Sequence, residues 1–305
     1  MKKGCCLGCS FASLAVLVFC FGIGYLISSL DLFLLSPPVN TAEQVDGRPA
    51  VLLRVDTQGP EVFDMVYKGM AGTPAWALHR IMPYEWTLAL EPRIEGETAD
   101  VTLAISFRRL AGLLHARANP ASIQLWEGLR NTSLSNAQEG VLVIRSEMPF
   151  QKAQPTDAPT GEPLQVPGKH AVEILVDNRD HRAEGIAAEM LPAYLPLERG
   201  DNPLTLIVED FTAAIKALTT FTLAADFESP NLLAGTLEAM AADDATAEAT
   251  LLRLLLLRDA LARHLLPQEL LLEATLWREG TVIRGKIRLQ GVDKPVINAI
   301  SRYFV

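Results

Sequence analysis

Ala50-Val51-Leu52-Leu53-Arg54-Val55-Asp56 and Ala171-Val172-Glu173-Ile174-Leu175-Val176-Asp177 are the two runs from which this chain is best read. Both open with Ala-Val and close with Val-Asp, and each is an apolar run of strand length. The first is ended by Gly59-Pro60, a pair that breaks any regular element.

Moving outward from each run, the same order of elements appears twice. After the first, Glu61 to Met70 has helical spacing, and Trp86 to Leu90 and Ala99 to Phe107 form a hairpin around Glu95-Gly96. Arg108 to Ala118 reads as helix, and Asn119-Pro120 restarts one with a capping residue and a proline at the first position. Thr132 to Gln138 and Val141 to Met148 then pair across Glu139-Gly140. After the second run, Asp180 caps a helix to Met190, and Thr220 to Phe227 pairs with Leu232 to Ala241 across Ser229-Pro230-Asn231. Asp243 or Asp244 caps a long helix to Leu266, and Glu269 to Trp277 pairs with Thr281 to Leu289 across Glu279-Gly280. Pro74-Ala75-Trp76 is echoed by Pro192-Ala193-Tyr194 at a similar offset.

One stretch fits badly. Leu204 to Glu209 reads as a strand and Phe211 to Leu218 as a short helix, with no counterpart in the first half. Either it is an insertion, or it holds the true first strand of the second half and residues 170–200 are the extra part. The expected class is α+β: an N-terminal transmembrane helix followed by two similar antiparallel-sheet-plus-helix halves, a β-α-ββ-α-ββ duplication. The alternation from Thr281 to Leu289 predicts one wet sheet face. Residues 50–148 form the first half and 169–305 the second. Residues 149–168 form a Pro-rich linker, with Pro149, Pro155, Pro159, Pro163 and Pro167 removing backbone donors.

Upstream, Phe11 to Leu30 is uncharged, and the apolar pattern continues past Asp31 to Leu35. Twenty helical residues span about 30 Å, the depth of a hydrocarbon core. Lys2 and Lys3 precede this segment, while Asp31, Glu43 and Asp46 follow it. The positive-inside rule gives a cytoplasmic stub at 1–10, a membrane helix at 11–35, a tether at 36–49 and an extracytoplasmic remainder. In a Gram-negative cell that remainder is periplasmic. Cleavage is the competing reading, and Ser28-Ser29-Leu30-Asp31 matches a cleavage site poorly. All four cysteines lie in the stub or the membrane segment, so no disulfide is expected outside. Cys5, Cys6 and Cys9 are candidates for S-acylation at the membrane border, against the plainer reading of small residues there.

The chain has 305 residues, 49% apolar and 21% charged, enough for a sizeable core. Its formal charge is −9, and −11 without Lys2 and Lys3, a field that repels phosphate backbones. Nucleic acid is therefore not an expected partner. No intact catalytic, nucleotide or metal motif is present. His170, Glu173, Asp177, Asp180 and His181 form the densest cluster of possible ligands. Strand alternation, however, turns His170 away from Glu173 and Asp177. His79, His115 and His264 stand alone. Asn131-Thr132-Ser133 is a glycosylation triplet that matters only in a eukaryote. No cofactor, catalytic residue or metal ligand is assigned.

Leu251 to Leu257 holds six leucines broken only by Arg253, wider than a helix on one sheet face needs. Packing between the sheet and another element explains much of it. The functional reading makes Leu251, Leu254, Leu255 and Leu257 contacts for a partner or an apolar ligand. Three functions follow. The first is a membrane-anchored, non-catalytic binding or scaffold module of the cell envelope with a protein partner. The second is a tethered binder of lipid or another apolar ligand. The third is an extracytoplasmic hydrolase with a non-standard site.

Overall fold

The runs at 51–56 and 172–177 lie side by side as the two central strands of one sheet. The computed structural model describes residues 40–70, 74–75, 82–93, 98–107, 130–138, 141–149, 168–186, 203–266 and 269–297. In chain order its strands are β1 (Val51–Asp56), β2 (Glu85–Pro92), β3 (Thr98–Ser106), β4 (Arg130–Gln138) and β5 (Val141–Pro149). The second half contributes β6 (Val172–Asp177), β7 (Leu218–Ser229), β8 (Leu232–Ala241), β9 (Leu271–Glu279) and β10 (Val282–Gln290). Three described helices matter below: α1 (Pro60–Gly69), α2 (Pro203–Ala217) and α3 (Asp244–Ala260).

All pairings are antiparallel, and the sheet order is β4-β5-β3-β2-β1-β6-β7-β8-β10-β9. The protein is α+β, and its described residues form a ten-stranded antiparallel sheet with a few helices. Read outward from the centre, each half lays its strands in the same sequence: first, second, third, fifth, fourth. The halves join through β1 and β6, with Val51 opposite Val176 and Val55 opposite Val172.

The expected hairpins all form, with bounds shifted by a few residues. Gly280 adopts φ +64 in the β9–β10 turn, a conformation that costs glycine least. The turns at Glu95-Gly96 and Glu139-Gly140 lie outside the described residues, as do the expected helices at 108–118 and from 119. Asp243, not Asp244, caps α3 by accepting the Thr246 N–H at 2.7 Å.

Three readings need correction. Leu204 to Glu209 is not a strand: with Phe211 onward it forms the single fifteen-residue helix α2. Ile207, Val208, Phe211, Ala214 and Ile215 recur at helical spacing, and burying that stripe overrides the β-branched composition. The first strand of the second half is therefore β6. Asp180 lies inside the short 3-10 turn Arg179–His181 and not at the start of the helix that follows it. Asn178 accepts the Ala183 N–H at 2.9 Å and donates to the carbonyls of Ile215 and Leu218, tying that helix to the end of α2. The stretch 36–49, read as a tether, is packed from Asn40 onward, with Thr41 fully buried.

The membrane segment at 11–35 and Cys5, Cys6 and Cys9 lie outside the described residues, as does most of the Pro-rich linker. Among the described residues no helix is long and apolar enough to cross a membrane.

Candidate functional site

Alternation along β1 separates two chemistries onto the two faces of the central strands. Val51 and Leu53 project to the face carrying α2 and α3, and register places Leu88 and Leu90 of β2 and Ile174 and Val176 of β6 beside them. Leu218 and Phe221 of β7 extend this floor. Ala183 and Ile186 form one wall, Phe211, Ala214 and Ile215 of α2 a second, and Leu254 of α3 closes a corner. Together they line a half-open cavity of about 430 Å³ in which every lining side chain is apolar. That volume falls within the range of small-molecule sites.

The leucines of α3 divide by face. Leu254 lines the cavity, Leu257 is buried, and Leu251 packs with Leu254 against Leu237, Ala239 and Ile283. Leu255 is half-buried and lies off the cavity. The most exposed members of the stripe are instead Leu252 and Leu256, at 59% and 63%. Their angular position opposes Ala247, Thr250 and Leu257, so they point away from the sheet.

On the opposite face, Arg54 lies 3% exposed between two carboxylates delivered by neighbouring strands. It pairs with Glu85 through Nη2 and with Glu173 through Nη1 at 3.1 Å, and Nη1 also donates to the His170 carbonyl at 2.9 Å. Glu85 accepts the Thr41 N–H at 2.5 Å and the Thr41 hydroxyl at 2.7 Å. Glu173 accepts the backbone N–H groups of Gly168, Lys169 and His170. Burial works against the Arg54 cation, but the hydrogen bond and charge of Glu85, then the charge of Glu173, raise its pKa above the ordinary arginine value.

A second buried group sits at the other end of β6. Asp177 accepts Arg48 at 3.1 Å and Arg179 at 2.7 Å, while Arg182 donates to the Arg48 carbonyl at 2.7 Å. Burial pushes the Asp177 carboxyl up, yet Arg179 and then Arg48 hold it below the usual carboxylate range.

These networks explain the cluster noted in the sequence. Glu173 and Asp177 share a face, as alternation requires, but each is engaged by arginines and backbone donors. His170 precedes β6 and pairs through Nδ1 with Asp226 at 2.7 Å. His181, at φ 60, pairs with Glu184 on the surface. Among the described residues no group of three or more His, Cys, Asp or Glu could hold a metal ion. What sequence reading missed was Arg54 and Glu85. The available signal was a lone arginine inside an apolar strand, a charge that needs partners once buried.

No family model matches the chain, and no curated protein matches it. The fold is similar to solved structures of TP0453. Crystal form IV gives a TM-score of 0.41 at 12% identity, covering 86% of this chain and 97% of that one. Form III gives 0.41 at 11%, and form I gives 0.38 at 12%, each covering 86% and 98%.

Proposed function

We propose that this chain is a membrane-tethered, extracytoplasmic binder of an apolar ligand, held between the central strands and α2 and α3. The single observation carrying this reading is the cavity. Left facing water, that apolar lining forfeits the free energy its burial would release, about 25 cal/mol for each Å² kept wet. Water is a poor occupant, because the lining offers it no hydrogen-bond partner. An apolar ligand relieves both costs. An acyl chain, apolar along its length, suits a lining that offers no polar side chain.

The membrane topology rests on the uncharged segment at 11–35 and the lysines before it. Duplication is supported by the shared Ala-Val and Val-Asp positions and the common outward strand order. A binding module with a protein partner is the second reading, favoured by the outward-facing Leu252 and Leu256.

The test uses the full chain, stripped of bound lipid in mild detergent and titrated with cis-parinaric acid. Saturable one-to-one binding is expected, with Ala214→Phe weakening it at least tenfold. Binding that is unsaturable, or unchanged in that variant, would overturn the proposal.

A further inference from the structure

The segment Asn40–Ala50 is a strap across the polar face of the central strands, running opposite to β1. It starts at the Asp56 end of β1, where Thr41 is bound by Glu85 and Thr87. It ends at the Val51 end, where Arg48 meets Asp177 and its N–H meets Glu91 at 3.0 Å. Asp46 adds an ion pair with Arg145 at 2.5 Å. Among the described residues, the first buried side chain is therefore Thr41, at one defined end of the sheet.

We infer that the strap holds the folded body end-on to the bilayer, with the Asp56 end of the central strands facing the headgroups. The inference rests on the membrane reading of residues 11–35. Four residues, 36–39, separate that segment from Asn40. A helix over 11–35 is about 38 Å long, enough to cross the core and one headgroup layer, and four fully extended residues add at most about 14 Å. Thr41 is buried, so slack cannot be recovered without breaking its bonds to Glu85.

Two further observations point to the same end. Leu271 opens β9 and is 54% exposed, and Val296 follows β10 and is 37% exposed. The register of β9 with β10, and the Gly291 N–H bonded to the Asn231 carbonyl, put both beside the β7–β8 turn, at the end where Thr41 is fixed. The excess negative charge of the body gives it no attraction to anionic headgroups, so the strap sets the orientation.

The experiment uses the full chain in phosphatidylcholine vesicles, with Cys5, Cys6, Cys9 and Cys20 replaced by serine. Single labels are placed by Asn231→Cys, at the near end of β8, or Ala242→Cys, at its far end. These sites differ by about 30 Å along the strand. With a nitroxide carried on the lipid headgroup, the Asn231→Cys label should be quenched several-fold more than the Ala242→Cys label. Inserting about twelve Gly/Ser residues after Val39, which lengthens the tether and leaves the strap intact, should erase that difference without changing the unfolding midpoint. Equal or reversed quenching in the parent chain, or a difference that survives the insertion, overturns the inference. A chain that does not float with the vesicles overturns the membrane reading itself.

Discussion

Ala214→Leu gives the cavity a sign test. Ala214 lies on α2, 1% exposed, and its methyl forms part of the cavity wall. Leucine adds three carbons, each burying about 0.8 kcal/mol of apolar surface if space is available. Leucine is slightly poorer than alanine in a helix, by a few tenths of a kcal/mol. The lipid-stripped variant should therefore be more stable by about 2 kcal/mol, or roughly 6 °C in the thermal midpoint. Urea unfolding followed by circular dichroism, extrapolated linearly, measures this directly. Adding cis-parinaric acid should stabilise the parent chain and leave the variant nearly unmoved, because leucine and ligand compete for one space. If the space were already filled, the extra carbons would strain the core and cost about 1–3 kcal/mol. A destabilised Ala214→Leu would refute the reasoning.

Arg54→Met should destabilise by about 3–5 kcal/mol in the same assay, because Glu85 and Glu173 lose their shared cation while buried. Adding Glu85→Gln and Glu173→Gln should restore most of the loss, since no unpaired charge then remains. The Asp177 carboxyl lies below its ordinary range, so the unfolded chain takes up that proton first as pH falls. Its contribution is fully present above about pH 4 and is lost as pH falls through the native value. Asp177→Asn should accordingly flatten the acid limb of the stability–pH curve below about pH 4. Gly280→Ala should cost about 1 kcal/mol at its positive φ, measured by the shift in urea midpoint.

Much of the sheet was legible because its strands carry their own signals. β10 alternates Ile283 and Gly285 inward against Arg284, Lys286 and Arg288 outward, and the Glu279-Gly280 turn marks its partner. α2 was misread because Leu204 to Glu209 has strand-like composition, and only the wider 207–215 window shows its helical stripe. The joining of the halves through β1 and β6 was not legible, since neither strand says which edge of the other it meets. The same gap hid the site. Arg54 stands 31 residues from Glu85 and 119 from Glu173, and only strand pairing brings them into contact. The leucine run announced an apolar face on α3. Which of its members line the cavity depends on where α2 packs, and Phe211, Phe221 and Ile186 carry no local mark that places them beside Leu254.

The most direct measurement is native mass spectrometry of the full chain, purified from its own membranes in gentle detergent. The account predicts one adduct per chain with the mass of an acyl-bearing lipid, absent from Ala214→Phe prepared in parallel. A bare polypeptide mass in the parent chain, or the same adduct on both proteins, would contradict it.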